Sequence, residues 1–268
     1  MILDVNGHAA YCYTGGKAFD PAQPTLVFVH GVLNDHSVWT LQSRYLAHHG
    51  WNVLAVDLPG HGRSAGAPPA SVEAAADWLL ALLDAAQLAS ATLIGHSFGS
   101  LISLEAAARA PERVRQLALL GTASPMKVLP ALLASSLDTP LQAIDMVNRF
   151  SHALMAPPPS SFGPGTWVAG SARALMRRVL AGNTAVNVFH AGFKACDSYR
   201  GGEQAMARFE GPTLFVAGLR DQMTPPLAAQ PLVGRARHGR LVTIDAGHDL
   251  MAEAPDAVLA ALLQFLVR

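Results

Sequence analysis

The pentapeptide Gly95-His96-Ser97-Phe98-Gly99 stands between an apolar run, Ala91-Thr92-Leu93-Ile94, and an amphipathic one that begins at Leu101. The first run reads as a buried strand and the second as a helix, so the chain must turn sharply from strand to helix around a serine. Such a turn leaves no room for a Cβ on either side, which accounts for the two glycines, and it pushes the serine hydroxyl out of the sheet. The new helix points its positive N-terminal end at whatever lies beside Ser97. A site of this kind suits holding and attacking a carbonyl carbon. A plain strand–loop–helix turn would carry the same five residues, so the partners decide the reading.

A serine hydroxyl is a weak nucleophile until a base takes its proton and a third group orients that base. In strand–turn–helix sites the chain order is Ser, acid, His. Two histidines come late, His238 and His248. His238 lies among Arg235, Arg237 and Arg240 and reads as part of a solvated loop. His248 follows an apolar strand and Gly247, and precedes the last helix, so it is the expected base. Asp221 comes three residues after the apolar run Thr213-Leu214-Phe215-Val216-Ala217-Gly218 and is the expected acid. The competing reading is a turn aspartate capping backbone near Pro225-Pro226. Asp245 and Asp249 are too near His248 in sequence to reach its far nitrogen easily. The end of the preceding strand, Gly121-Thr122-Ala123-Ser124, offers no carboxylate.

Three further segments complete a pattern: His30-Gly31 after residues 25–29, Asp57-Leu58-Pro59-Gly60-His61-Gly62-Arg63-Ser64 after residues 52–56, and Gly247-His248-Asp249-Leu250 near the end. With the pentapeptide, and in this order, they resemble the α/β-hydrolase superfamily over essentially the whole chain. The resemblance implies a serine hydrolase with catalytic Ser97, Asp221 and His248. It also implies an oxyanion hole made by the backbone N–H groups of Val32 and Phe98. Asp57 to Ser64 holds Asp, His and Arg together, but its proline and glycines describe a tight loop in which Asp57 and Arg63 satisfy backbone groups.

Serine at the turn argues against the resembling haloalkane dehalogenases and epoxide hydrolases, which use aspartate there. The loop His30-Gly31-Val32-Leu33 lacks the glycine run of the hormone-sensitive-lipase branch, and that of carbon–carbon hydrolases less decisively. It is similar to small esterases, cofactor-free peroxidase-like enzymes and hydrolase-type signalling proteins. The expected reaction is cleavage of a small-to-medium, apolar carboxylic ester or lactone, EC 3.1.1, through an acyl-enzyme on Ser97. The alternatives are a ligand receptor with slow or single turnover, or a perhydrolase, cofactor-free oxygenase or carbon–carbon hydrolase using the same three residues. No cofactor or metal is expected.

The expected fold class is α/β: a mostly parallel, doubly wound sheet flanked by helices. Residues 3–5 and 9–13 read as an opening antiparallel hairpin around Asn6-Gly7-His8. Apolar strands follow at 25–29, 52–56, 91–95, 116–121, 213–218 and 240–245. Helices are expected between them, including 71–86 with Ser71 as N-cap, and 255–267 beginning at a proline. Residues 122–211 form a 90-residue interval, where a crossover needs only about a dozen. The excess reads as a helical lid, residues 124–208, inserted after the sixth strand into a core of residues 1–123 and 209–268. Its helices are expected at 126–136, 140–155, 166–180 and 184–199, with Pro157-Pro158-Pro159-Ser160-Ser161 and Gly163-Pro164-Gly165 as a link. Met126, Met146, Met155, Met176, Met206, Phe150, Phe162, Trp167, Phe189 and Phe193 are mostly packing residues, some of which line an apolar pocket. His152 and His190 are open to contact with substrate, but read first as surface or packing histidines.

The chain has 268 residues, 51% hydrophobic and 14% charged, with 19 basic and 19 acidic side chains. That balance suits a sheet buried on both faces and gives nothing to neutralise phosphates, so nucleic acid is not expected as a partner. The partner expected is a small ester-like molecule. Residues 85–104 lack formal charges but are interrupted by Gln87, Thr92, His96 and serines, and are not read as a membrane span. No basic-then-apolar leader opens the chain. Cys12 and Cys196 are far apart without metal-ligand spacing, and the sequence allows either two free thiols or a bridge between them. A cytoplasmic location is expected.

Overall fold

The computed structural model describes residues 1–154 and 167–266. The expected link at 157–165, together with Met155, Phe162, Thr166 and the expected helix end at Val267, lies outside the described residues.

Alternating apolar runs pair into one eight-stranded sheet: β1 (Ile2–Val5), β2 (His8–Tyr13), β3 (Thr25–Val29), β4 (Asn52–Val56), β5 (Ala91–His96), β6 (Val114–Leu120), β7 (Pro212–Gly218) and β8 (His238–Ile244). Their order is β1-β2-β4-β3-β5-β6-β7-β8. β1 and β2 pair antiparallel, as do β2 and β4; every other pairing is parallel. The opening hairpin turns through two residues, Asn6 and Gly7, at φ 55° and 80°, with Val5 opposite His8. Those signs are what a tight hairpin of right-twisted strands requires.

Helices α1 (Thr40–His48), α2 (Val72–Ala85) and α3 (Phe98–Arg109) connect the strands. Ser71 caps α2 as expected, its Oγ accepting from Ala74 N at 3.2 Å. Five helices lie between β6 and β7: α4 (Pro130–Asp138), α5 (Pro140–Ser151), α6 (Val168–Gly182), α7 (Val188–Ser198) and α8 (Gly202–Arg208). α9 (Gln230–Val233), α10 (Leu250–Glu253) and α11 (Pro255–Phe265) complete the chain. Two apolar clusters cover the sheet: one joins it to α2, α3, α7 and α8, the other to α1 and α11. A third joins the insertion helices through Ile144, Met176, Val179, Phe189 and Phe193, and it includes Leu33 from the loop after β3.

Several boundaries differ from the expectations. α4 starts at Pro130 rather than 126, because proline suits a first helical turn, and Met126 to Leu129 before it line a cavity. Asn187 caps α7 by accepting from His190 N, so that helix starts at Val188 rather than 184. His238 opens β8 instead of lying in a loop. β8 pairs only with β7, at the sheet's edge, so its outer residues are exposed and carry charge like a loop.

Candidate active site

β3 is flanked by β4 on one side and β5 on the other, so the chain leaves β3 and β5 in opposite directions across the sheet. A crevice forms at the carboxyl ends of strands where such an order reverses. The loop after β3 and the turn after β5 therefore meet there. A Cβ on Gly31 would lie 3.1 Å from the Ser97 Cβ, which brings Gly31-Val32 directly against the serine.

Ser97 takes φ 53° and ψ −120° between β5 and α3. This left-handed backbone is unusual for a residue with a side chain and is held by its surroundings. Ser97 N donates to Leu120 O on β6 at 2.9 Å. The flanking glycines are compulsory: a Cβ on Gly95 would strike the Gly99 carbonyl, and one on Gly99 would strike the Val29 and His30 carbonyls. Phe98 is the first residue of α3, so its N–H has no partner within the helix.

β7 and β8 end side by side and deliver Asp221 and His248. His248 Nδ1 donates to Asp221 Oδ2 at 2.8 Å, and both side chains are buried. The carboxylate accepts only, so the proton sits on Nδ1 and leaves Nε2 with a free lone pair. Asp221 Oδ1 accepts from the N–H groups of Met223 and Thr224, each at 2.8 Å. The turn-capping contacts of Asp221 and its bond to His248 coexist, one set on each oxygen. Thr224 Oγ1 donates to Oδ2 at 2.8 Å and lies 3.1 Å from His248 Nδ1. Burial works against the Asp221 charge, yet the His248 imidazole and these donors hold its carboxyl well below the usual range. Burial likewise opposes the His248 cation, but the Asp221 carboxylate outweighs it and raises the imidazole above its ordinary value. The rival acids are engaged elsewhere: Asp245 pairs with Arg220 at 2.8 Å, and Asp249 faces His152.

The backbone of His248 is tied down from two sides. Ser151 O, at the end of α5, accepts from His248 N at 2.7 Å and Asp249 N at 3.1 Å. His96 Nε2 donates to His248 O at 2.9 Å; burial and the neighbouring His248 lower the His96 ring to about 4, so it is neutral. Glu253 adds a brace, accepting from Gly247 N at 2.9 Å and Ala153 N at 2.8 Å. Neither Thr224 nor these braces were expected from the sequence. Thr224 had a local signal, an aspartate three residues ahead of a threonine and followed by two prolines; Glu253 stands 6 residues from Gly247, but the bonds to Ser151, His96 and Ala153 join distant parts of the chain and had none.

Two cavities meet at Ser97, one of about 520 Å³ and one of about 180 Å³. Val32, Ser97, Phe193, Met223 and His248 line both. Met176 and Phe189 line the larger; Met126, Met146 and Phe150 line the smaller. Met206 is instead buried in the core and Trp167 is largely exposed. His152 is a cavity residue and not a surface one, whereas His190 packs, bonding to Ser136 Oγ and Leu133 O. Cys12 and Cys196 are free and buried, and burial pushes both thiols up, Cys12 to about 12.

Asp57 serves the loops, as expected: Oδ1 accepts from His36 N and Nδ1 at 2.7 Å each, and Oδ2 from Arg63 N at 2.8 Å. With Asp35 it forms the three-residue Asp–His–Asp group of the described residues. Asp35 is itself bonded to Ser37 N at 2.8 Å and Arg178 at 2.9 Å, so these carboxylates are already satisfied as clamps. His30 is also a loop clamp. Its Nδ1 donates to Gly31 O at 2.8 Å and its Nε2 accepts from Leu58 N at 3.0 Å.

A parallel sheet with a strained serine turn at its switch point and a buried Asp–His pair beside it defines a hydrolase scaffold. A family model described as alpha/beta hydrolase fold matches residues 24–255, and the chain belongs to that family. It is 30% identical to a pimeloyl-[acyl-carrier protein] methyl ester esterase of Neisseria meningitidis, over 93% of this chain and 96% of that protein. It is also 41% identical to a dihydrolipoyllysine-residue acetyltransferase component of an acetoin cleaving system from Pseudomonas putida, over 41% of this chain but only 28% of that protein. Its fold matches the enol-lactonase from Burkholderia xenovorans with a TM-score of 0.83 at 24% identity, covering 100% of both chains. No described helix is long and apolar enough to cross a membrane.

Proposed function

We propose that this protein hydrolyses small-to-medium carboxylic esters or lactones through an acyl-enzyme on Ser97. The observation that carries the reading is the 2.8 Å His248–Asp221 hydrogen bond beside a cavity that Ser97 and His248 share. Ester and lactone chemistry in the relatives' names supports the same class.

In this reading Ser97 Oγ attacks the carbonyl carbon while His248 Nε2 takes its proton, and the Asp221 carboxylate stabilises the imidazolium. The carbonyl π pair moves onto oxygen, where the Phe98 and Val32 N–H groups receive it; each such donor contributes roughly 3–4 kcal/mol in the transition state. Collapse expels the alkoxide, which takes the proton back from His248. Water then attacks the acyl-enzyme, giving its proton to the same nitrogen, and releases the acid and Ser97. The helices between β6 and β7 act as a cap, residues 124–208, over a core of residues 1–123 and 209–268. Their apolar residues select the substrate: 520 Å³ with Met176, Phe189 and Phe193 on its walls suits a ligand of modest size.

Stopped-flow hydrolysis of a p-nitrophenyl ester series tests this. A burst followed by steady turnover in the wild type, absent in Ser97→Ala, is the expected result. Equal rates in the two proteins would sink the acyl-enzyme.

A further inference from the structure

The loop that follows β3 carries a backbone conformation that its sequence does not favour. Leu33 stands at φ 57°, in the left-handed region that an aliphatic residue avoids and glycine enters freely. Such a residue persists only where its surroundings hold it. Leucine at this position therefore contributes through its side chain. That side chain is fully buried, and it packs against the helices between β6 and β7 rather than against the sheet. Its cluster joins Ile144 of α5, Met176 and Val179 of α6, and Phe189 and Phe193 of α7. Among the described residues, Leu33 is the one buried member of that cluster from outside those helices.

The preceding residue meets the same helices. A Cβ on Gly192, within α7, would lie 3.1 Å from both methyl carbons of Val32, so α7 comes as near to this loop as a glycine permits. Glycine inside a helix is otherwise unfavourable. Two residues beyond Leu33, Asp35 Oδ2 accepts from Arg178 of α6 at 2.9 Å. That arginine is largely exposed, and an exposed ion pair adds little. The firm contacts are those of Leu33 and Gly192.

Val32 thus lies between two fixed neighbours. The carbonyl of Gly31 belongs to the same peptide unit as the Val32 N–H, and it accepts from His30 Nδ1 at 2.8 Å, which holds that unit from the side of the sheet. Leu33 holds the other end from the side of the helices. Resting on the reading of the Val32 N–H as an oxyanion donor, we infer that Leu33 and Gly192 are positioning residues that set the aim of that donor. The leucine anchors the strained loop, and the glycine fixes how closely α7 presses on it. Ground-state binding draws on the cavity walls, whereas the donor's aim counts once negative charge has developed on the substrate oxygen.

The test reads kcat and KM for p-nitrophenyl butyrate together with the Kd of a trifluoromethyl ketone and of the matching secondary alcohol. The ketone takes Ser97 Oγ at its carbonyl carbon, the hydroxyl proton passes to His248, and a negative oxygen is left in the hole; the alcohol cannot react. Leu33→Ala should lower kcat by about a hundredfold and weaken the ketone in parallel, with KM and alcohol affinity within about threefold of wild type. Leu33→Met, which restores the buried volume, should recover most of that loss. Leu262→Ala removes an equally buried leucine from α11 and should melt lower with kcat within about threefold. Gly192→Ala keeps the test alive should Leu33→Ala fail to fold. Val32 lies beside two cavities and has room to yield, so this variant should melt no lower than wild type while kcat and ketone affinity fall by about three- to tenfold. An unchanged kcat in either folded variant overturns that residue's role. An equal loss of alcohol and ketone affinity, or an equal loss of kcat in Leu262→Ala, overturns the positioning role while leaving the ester-hydrolysis reading intact. Failure of the wild type to exceed Ser97→Ala on any ester overturns both.

Discussion

Replacing Asp221 by asparagine separates the two tasks of this side chain. Asparagine keeps an oxygen for the Met223 and Thr224 N–H groups, which both bond Oδ1. Its amide nitrogen then takes the place of Oδ2 and presents a donor to His248 Nδ1, where the native pair is 2.8 Å apart. The imidazole responds by moving its proton to Nε2, the position from which it can no longer accept from Ser97. Holding the productive tautomer against this arrangement costs about 1–3 kcal/mol for an unpaired buried donor. The imidazolium also loses its counter-charge, about 4 kcal/mol at a separation of 4 Å and an effective dielectric of 20. At 1.36 kcal/mol per decade the sum corresponds to a fall in kcat of roughly four to five decades. The pH dependence changes as well. His248 must be neutral to act, so kcat/KM rises with pH through its pKa, which in the native protein lies above the ordinary 6.5. Without the carboxylate that rise moves to lower pH. Steady-state and burst kinetics of p-nitrophenyl butyrate at a series of pH values read both effects. A loss of less than about tenfold, with the rise unmoved, would refute Asp221 as the acid.

Thr224→Val removes one donor from the Asp221 carboxylate and should cost about 1.5–3 kcal/mol in denaturant unfolding at neutral pH. Because the folded carboxyl is held below its unfolded value, this stabilisation is present above pH about 4 and fades as pH falls through the folded pKa; the gap between variant and wild type should close in acid. Gly99→Ala drives a Cβ into the Val29 and His30 carbonyls, and should lower the melting temperature by roughly 6–12 °C, as expected for about 3 kcal/mol in a domain of this size. An unchanged melting temperature would mean that β3 and α3 are farther apart than described.

The strands and the serine turn were legible because buried parallel strands are continuous apolar runs and the turn demands glycine on both sides. Asp221 and His248 were legible for a related reason: parallel strands end together, so residues just past β7 and β8 must lie side by side. His238 was misjudged because an edge strand wears the charges of a loop. α8, seven residues long and opening on Gly202 behind Gly201, is too short to show a period. The braces on His248 were out of reach, since they depend on how α5 and β5 approach the last loop. So was the burial of Asn148 and His152: at helical spacing these two residues look like any polar pair on a surface helix, and only packing shows them buried.

The carbonyl of Ser151 has a consequence for protein engineering. It belongs to the helices between β6 and β7, yet it holds the peptide of His248, the proposed base. The insertion is therefore not an interchangeable module: grafting the corresponding segment from another enzyme onto this sheet would retune the base along with the pocket. Chimaeras that keep residues 148–154 native and exchange only what precedes them should preserve turnover, whereas those crossing that boundary should need compensating changes around Gly247 and Glu253.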